Sequence, residues 1–194
     1  MVSTNPYGID KPKWDYDHTV ENGSMNWGDI HPQYAFCKKG KNQSPIRIKP
    51  SQVAKLADST PPSFNYQATP LKIINNGHTI HVDYEQGKGS MIFNGIEYQL
   101  KQFHFHSPSE HRVGDIEAGN STTVSQITYD LELHLVHEDD FGNLAVVAIL
   151  FRATNDNLNQ ILQPLLDNAP SQKSDPAFED SEQMVNAQDF VSLS

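Results

Sequence analysis

Two short segments, Gln102 to His106 (QFHFH) and Glu132 to His137 (ELHLVH), alternate polar and apolar residues and dominate what this chain can become. In an extended strand, side chains two apart share a face. Gln102, His104 and His106 therefore project together, with Phe103 and Phe105 behind them. Glu132 and His134 do the same, and Leu131, Leu133 and Leu135 fill the opposite face. Two such strands laid side by side converge three imidazoles on one point.

Three neutral imidazoles with an open fourth position form the donor set of a catalytic zinc, not the closed set of a structural one. A metal-bound ring also needs an acceptor for its other N–H, and Gln102 and Glu132 supply one oxygen group each. The competing reading is that the histidines are merely tolerated on a wet strand face, since H-x-H arises by accident. Spacing alone leaves both open.

The wider sequence carries a resemblance. FHFH, then Ser109-Glu110-His111, then ELHLVH stand in that order behind Asn26-Trp27-Gly28, Gly40 to Ile48 (GKNQSPIRI) and Leu71 to Val82 (LKIINNGHTIHV). Together they resemble the alpha class of carbonic anhydrases, of bacterial type, over most of the chain. The resemblance implies one domain over residues 1–194, mainly β with short helices, built on a mostly antiparallel, twisted central sheet. It implies a zinc ion held by His104, His106 and His134, and the reversible hydration of carbon dioxide to bicarbonate and a proton. His78 matches the family's proton-shuttle histidine, Glu110 its hydroxyl-orienting glutamate, and Val136 and Val147 the wall of a small apolar substrate pocket. The resemblance also implies that the family's C-terminal threonine-rich loop and final strands are missing after Ser194. Activity is then expected to be impaired, and the alternative is a catalytically impaired zinc-binding relative. A homo-oligomer or a complementing C-terminal segment is the expected partner for exposed sheet edges. A periplasmic or secreted location is expected, although Met1 to Asp10 carry no secretory signal.

Composition narrows the alternatives. The formal charge of −10, without a basic block, argues against a nucleic-acid surface. No membrane span is expected, because the strongest apolar run, Leu144 to Phe151, is too short and reads as a buried central strand. Cys37 is the single cysteine, so no internal disulfide is expected.

Local signals predict the remaining elements. Asn75-Asn76-Gly77 marks a turn between strands, and the odd spacing of His78 and His81 places them on opposite faces of a regular strand. Gln86 to Ser90 reads as a second hairpin turn and Asn94-Gly95 as a third. Arg112 to Tyr129 is expected to be a long surface connection, and Leu158, Ile161, Leu162 and Leu165 predict a helix over 157–166. Beyond Asn168 the chain reads as polar loop until a short segment around Met184 to Phe190.

Overall fold

A computed structural model describes residues 13–54, 60–114, 127–153, 160–173 and 177–192. It divides into two compact units, one ending at Ser44 and a larger one beginning at Pro45. In the first, two single-turn helices, α1 (Trp27–Ile30) and α2 (Phe36–Lys39), follow a loop whose Trp14 and Tyr16 pack edge to face with each other and with Trp27 of α1, ring centroids 5.2 to 5.6 Å apart. The Trp27 indole N–H donates to the Asp15 carbonyl at 2.9 Å, giving the polar tip of the ring its partner.

The larger unit is built on strands. In chain order they are β1 (Arg47–Ile48), β2 (Ser63–Tyr66), β3 (Thr69–Asn75), β4 (Ile80–Asp83), β5 (Gly89–Phe93), β6 (Ile96–His106), β7 (Arg112–Val113), β8 (Leu131–Glu138) and β9 (Leu144–Phe151). Helix α3 (Gln163–Asn168), β10 (Phe178–Val185) and helix α4 (Gln188–Val191) follow. Strands β1 and β7 form a small parallel pair. The other eight make one sheet whose pairings are all antiparallel. No helix among the described residues is long and apolar enough to cross a membrane.

Strand β6 is the axis of that sheet. One of its edges pairs with β5 along residues 96–99 and with β4 along residues 102–104, while its other edge pairs with β8. Strands β4 and β5 therefore lie end to end along β6 and are not paired with each other. The hairpin turn predicted at Gln86 to Ser90 instead spans the end of the connection between them and the first two residues of β5. The register with β8 slips between Leu100 and Gln102, leaving Lys101 as the extra residue of a β-bulge. This slip changes the parity of the strand, so Leu100 and Phe103 both face the core although they are three apart.

The core face carries Ile73, Val82, Phe103 and Leu135, aligned across β3, β4, β6 and β8 and all essentially sealed from solvent. Leu71, Leu133 and Phe190 of α4 also belong to it, and each large buried apolar side chain contributes roughly 1.5–3 kcal/mol. Tyr84 ties two layers together: its hydroxyl donates to the Gln67 carbonyl at 2.5 Å and accepts from the Ala187 N–H at 3.2 Å.

Three expectations change at this level. Strand β9, expected in the centre of the sheet, pairs only with β8 among the described residues, and Leu144 and Val146 are more than half exposed. Its continuous apolar run does not by itself bury both faces. Among the described residues the predicted helix is displaced, running from Gln163 with Pro164 in its first turn, where a missing N–H costs nothing; residues 154–159 lie outside the described residues. The segment read as polar loop contains β10, which pairs with β3 despite its acidic sequence. Of the long connection, Arg112 and Val113 form β7 and Ile127 bridges back to Val113, while residues 115–126 lie outside the described residues.

Candidate metal centre

The face of the sheet away from the core gathers the histidines. His81, His104, His134 and Ala148 form one row across β4, β6, β8 and β9. His106 stands two residues further along β6, so His104 and His106 present their rings side by side and His134 closes the triangle from β8. The ring centroids are 4.9 Å apart for His104 and His106, 5.2 Å for His104 and His134, and 4.8 Å for His106 and His134. One nitrogen from each ring lies within 4.8 Å of the other two.

Two of the rings are held from behind. His104 Nδ1 donates to Gln102 Oε1 at 3.0 Å and His134 Nε2 donates to Glu132 Oε1 at 2.6 Å. Each bond settles the tautomer and leaves His104 Nε2 and His134 Nδ1 as lone-pair donors. Glu132 is fully buried and accepts four hydrogen bonds. Besides the bond from His134, its Oε1 accepts from His111 Nδ1, and its Oε2 accepts the backbone N–H groups of Glu110 and His111 at 2.7 and 2.8 Å. Burial alone would raise its pKa, but the hydrogen bonds from His111 and His134 outweigh it and hold the carboxyl below the usual range.

Burial dominates the imidazoles as well. Desolvation, reinforced by the neighbouring histidines, lowers the pKa of His104 to about 4, and desolvation together with His134 lowers that of His106 to about 4. Both rings are thus neutral near pH 7, which is the form that binds a metal. The nitrogen donors, their convergence and their ready-made acceptors fit zinc well. A second trio, His111, Glu132 and His134, also brings its ligand atoms within 4.8 Å. Those atoms, however, hydrogen-bond to one another, so the trio serves as a brace behind His134.

Glu110 sits at the same centre, its Oε2 3.4 Å from His106 Nε2. His78 lies apart, exposed on the turn between β3 and β4. His137 is sealed in the core face, where its Nε2 shares a hydrogen bond with the Tyr66 hydroxyl at 2.8 Å. Val136 shares the face of His134, but Val147 does not: it stands opposite Leu135 and packs in the core. The residue paired with Val136 is Val146. A one-residue difference along a strand exchanges the faces, and only the register between β8 and β9 reveals which valine looks toward the histidines. The bracing of Glu132 by the Glu110 and His111 amides is likewise invisible to local pattern, because those residues belong to a different segment of the chain.

Known proteins share this arrangement of chain. The family model described as eukaryotic-type carbonic anhydrase matches residues 22–192. The protein dioscorin dioA3 of Dioscorea japonica is 41% identical over 68% of this chain and 44% of its own length. A carbonic anhydrase of Nostoc is 36% identical over 91% of this chain and 62% of its own. Among solved structures, the alpha-carbonic anhydrase of Thermovibrio ammonificans, in complex with the inhibitor sulfanilamide, superposes with a TM-score of 0.77. It is 32% identical, and the match covers 92% of this chain and 71% of that one. The chain spans about half the length of the curated relatives it matches. With the family model covering most of its residues and the same sheet beneath the histidines, this chain belongs to the eukaryotic-type carbonic anhydrase family.

Proposed function

We propose that this chain carries the zinc-binding heart of a carbonic anhydrase, which hydrates carbon dioxide reversibly to bicarbonate and a proton. The observation that carries the reading is the convergence of His104, His106 and His134, each turning one nitrogen toward the others. Burial keeps the first two rings neutral and ready for a metal. Zinc held there supplies a Lewis acid that makes water acidic enough to yield hydroxide near neutral pH. Gln102 and Glu132 keep two of the ligand rings in the correct tautomer. Glu110 offers an acceptor beside His106, suited to orient an attacking hydroxyl. Val136 and Val146 provide apolar surface on the histidine face, and an uncharged substrate loses little by leaving water for it. His78, on its exposed turn, takes up the released proton and hands it to buffer.

The second reading is a zinc-binding relative without hydration activity. What favours it is that the relatives are not all named carbonic anhydrases: they include dioscorins, one of which has been solved in complex with ascorbate. Stopped-flow carbon dioxide hydration on protein of confirmed zinc content separates the two. Turnover well above the buffer rate, lost on chelation and regained with zinc, is the expected outcome. Full zinc occupancy without hydration establishes the second reading.

A further inference from the structure

The proton-shuttle assignment leaves His81 without a role, although it stands directly across from the ligand His104 on the same face. Its surroundings supply one. The Asn76 side chain lies at the centre of the turn between β3 and β4, where its Oδ1 accepts from the backbone N–H groups of both His78 and Thr79 at 2.9 Å. Two amide donors on one oxygen settle which way this side chain points. Its Nδ2 is then directed to Thr79 Oγ1 and His81 Nδ1, both at 3.4 Å. An amide nitrogen only donates, so His81 Nδ1 accepts and the ring proton belongs on Nε2. That nitrogen faces Asp83 Oδ1 at 3.4 Å. Asp83 is anchored in turn, with its Oδ2 3.7 Å from the Lys72 ammonium, which also meets Glu179 of β10 at 3.2 Å.

We infer that His81 and Asn76 are positioning residues: a polar brace, running from the Asp83 carboxylate facing His81 to the hydrogen bond between His81 and Asn76, fixes the turn that carries His78. Both His81 nitrogens face partners within the brace, which sets His81 apart from the three histidines that turn a nitrogen toward one another. A short turn rich in asparagine and glycine has several conformations within reach. The brace selects one of them and ties it to the strand whose neighbour carries His104. Its consequence for turnover rests on the shuttle reading of His78, whereas its consequence for the turn does not.

The test is amide hydrogen exchange on the zinc-loaded chain, compared among wild type, Asn76→Ala, His81→Ala and His81→Gln. Losing the Asn76 acceptor is expected to speed exchange at the His78 and Thr79 amides by about tenfold, and His81→Ala by a few-fold. Glutamine can accept from Asn76 and donate to Asp83, so His81→Gln is expected to remain close to wild type. Zinc content should be equal in all four. Carbon dioxide hydration in dilute buffer should fall several-fold in Asn76→Ala and His81→Ala and recover in part with added imidazole. Unchanged exchange in His81→Ala overturns the brace, as does His81→Gln behaving like His81→Ala. If no variant, including wild type, hydrates carbon dioxide, the functional reading falls while exchange still decides the brace.

Discussion

The three-histidine face and the His78 turn belong to the same sheet, yet they are held in different ways. His104, His106 and His134 rise from two long paired strands, are backed by Phe103, Leu133 and Leu135, and are oriented partly by a buried carboxylate. His78 stands on a short connection in which the Asn76 side chain accepts two backbone N–H groups and the Asn75 side chain a third. The first is rigid because sheet, core and polar network would all have to give together. The second is held by far fewer contacts, so under the proposed function the metal centre and the proton-transfer residue are separated in the fold.

The sharpest break in that comparison comes from the ligands. His134→Ala is expected to abolish zinc retention through desalting, read by metal analysis, because two nitrogens cannot replace the three-point donor set. Phe103→Ala removes a large side chain from the core behind the ligand strand and should destabilise the fold by about 3–5 kcal/mol in urea titration, with metal loss following from unfolding. If zinc affinity fell without any change in stability, the core would not be what supports the ligands.

Acid should act on the same face. With zinc removed, His104 and His106 resist protonation down to about pH 4, while the unfolded chain takes up protons near pH 6.5. The unfolded state then binds more protons between these values, so stability falls as pH drops from about 6.5 to 4 and levels off below. The loss is of the order of 1–3 kcal/mol per ring. Bound zinc should move this transition to lower pH, since metal and proton compete for the same nitrogens.

Smaller effects sharpen the contrast. Glu132→Gln keeps an oxygen for one neighbour but loses charge and acceptor capacity, so zinc affinity should weaken by about 10–100-fold in chelator competition. His78→Ala should leave zinc affinity and unfolding unchanged, lower turnover chiefly in dilute buffer, and respond to added imidazole. A loss of zinc in that variant would show that the turn and the centre are not independent.

Legibility in the sequence depends on the range of each signal. The shared face of His104 and His106 needs only the two-residue period of a strand, and Asn94-Gly95 marks its turn through local backbone preference. The pairing of Val136 with Val146 instead of Val147 requires knowing which residue of β9 faces which of β8. Strand β10 is hidden because Glu179, Asp180 and Glu182 mask its pattern, while its partner β3 lies far earlier in the chain. The bulge at Lys101 likewise leaves no trace in composition, although it decides that Leu100 reaches the core.

Alternation and side-chain chemistry are local properties, so residue order is enough to put His104 and His106 on one face with Gln102 and to set His134 beside Glu132, whereas the choice of a zinc site over a wet strand face rests on the family resemblance. Folding adds what residue order leaves open: the register that brings His134 opposite His104, the burial that keeps His104 and His106 neutral, and the brace that reaches from Asp83 to the His78 turn. Those depend on which distant strands meet, and pairing energy is gained between strands, not within them.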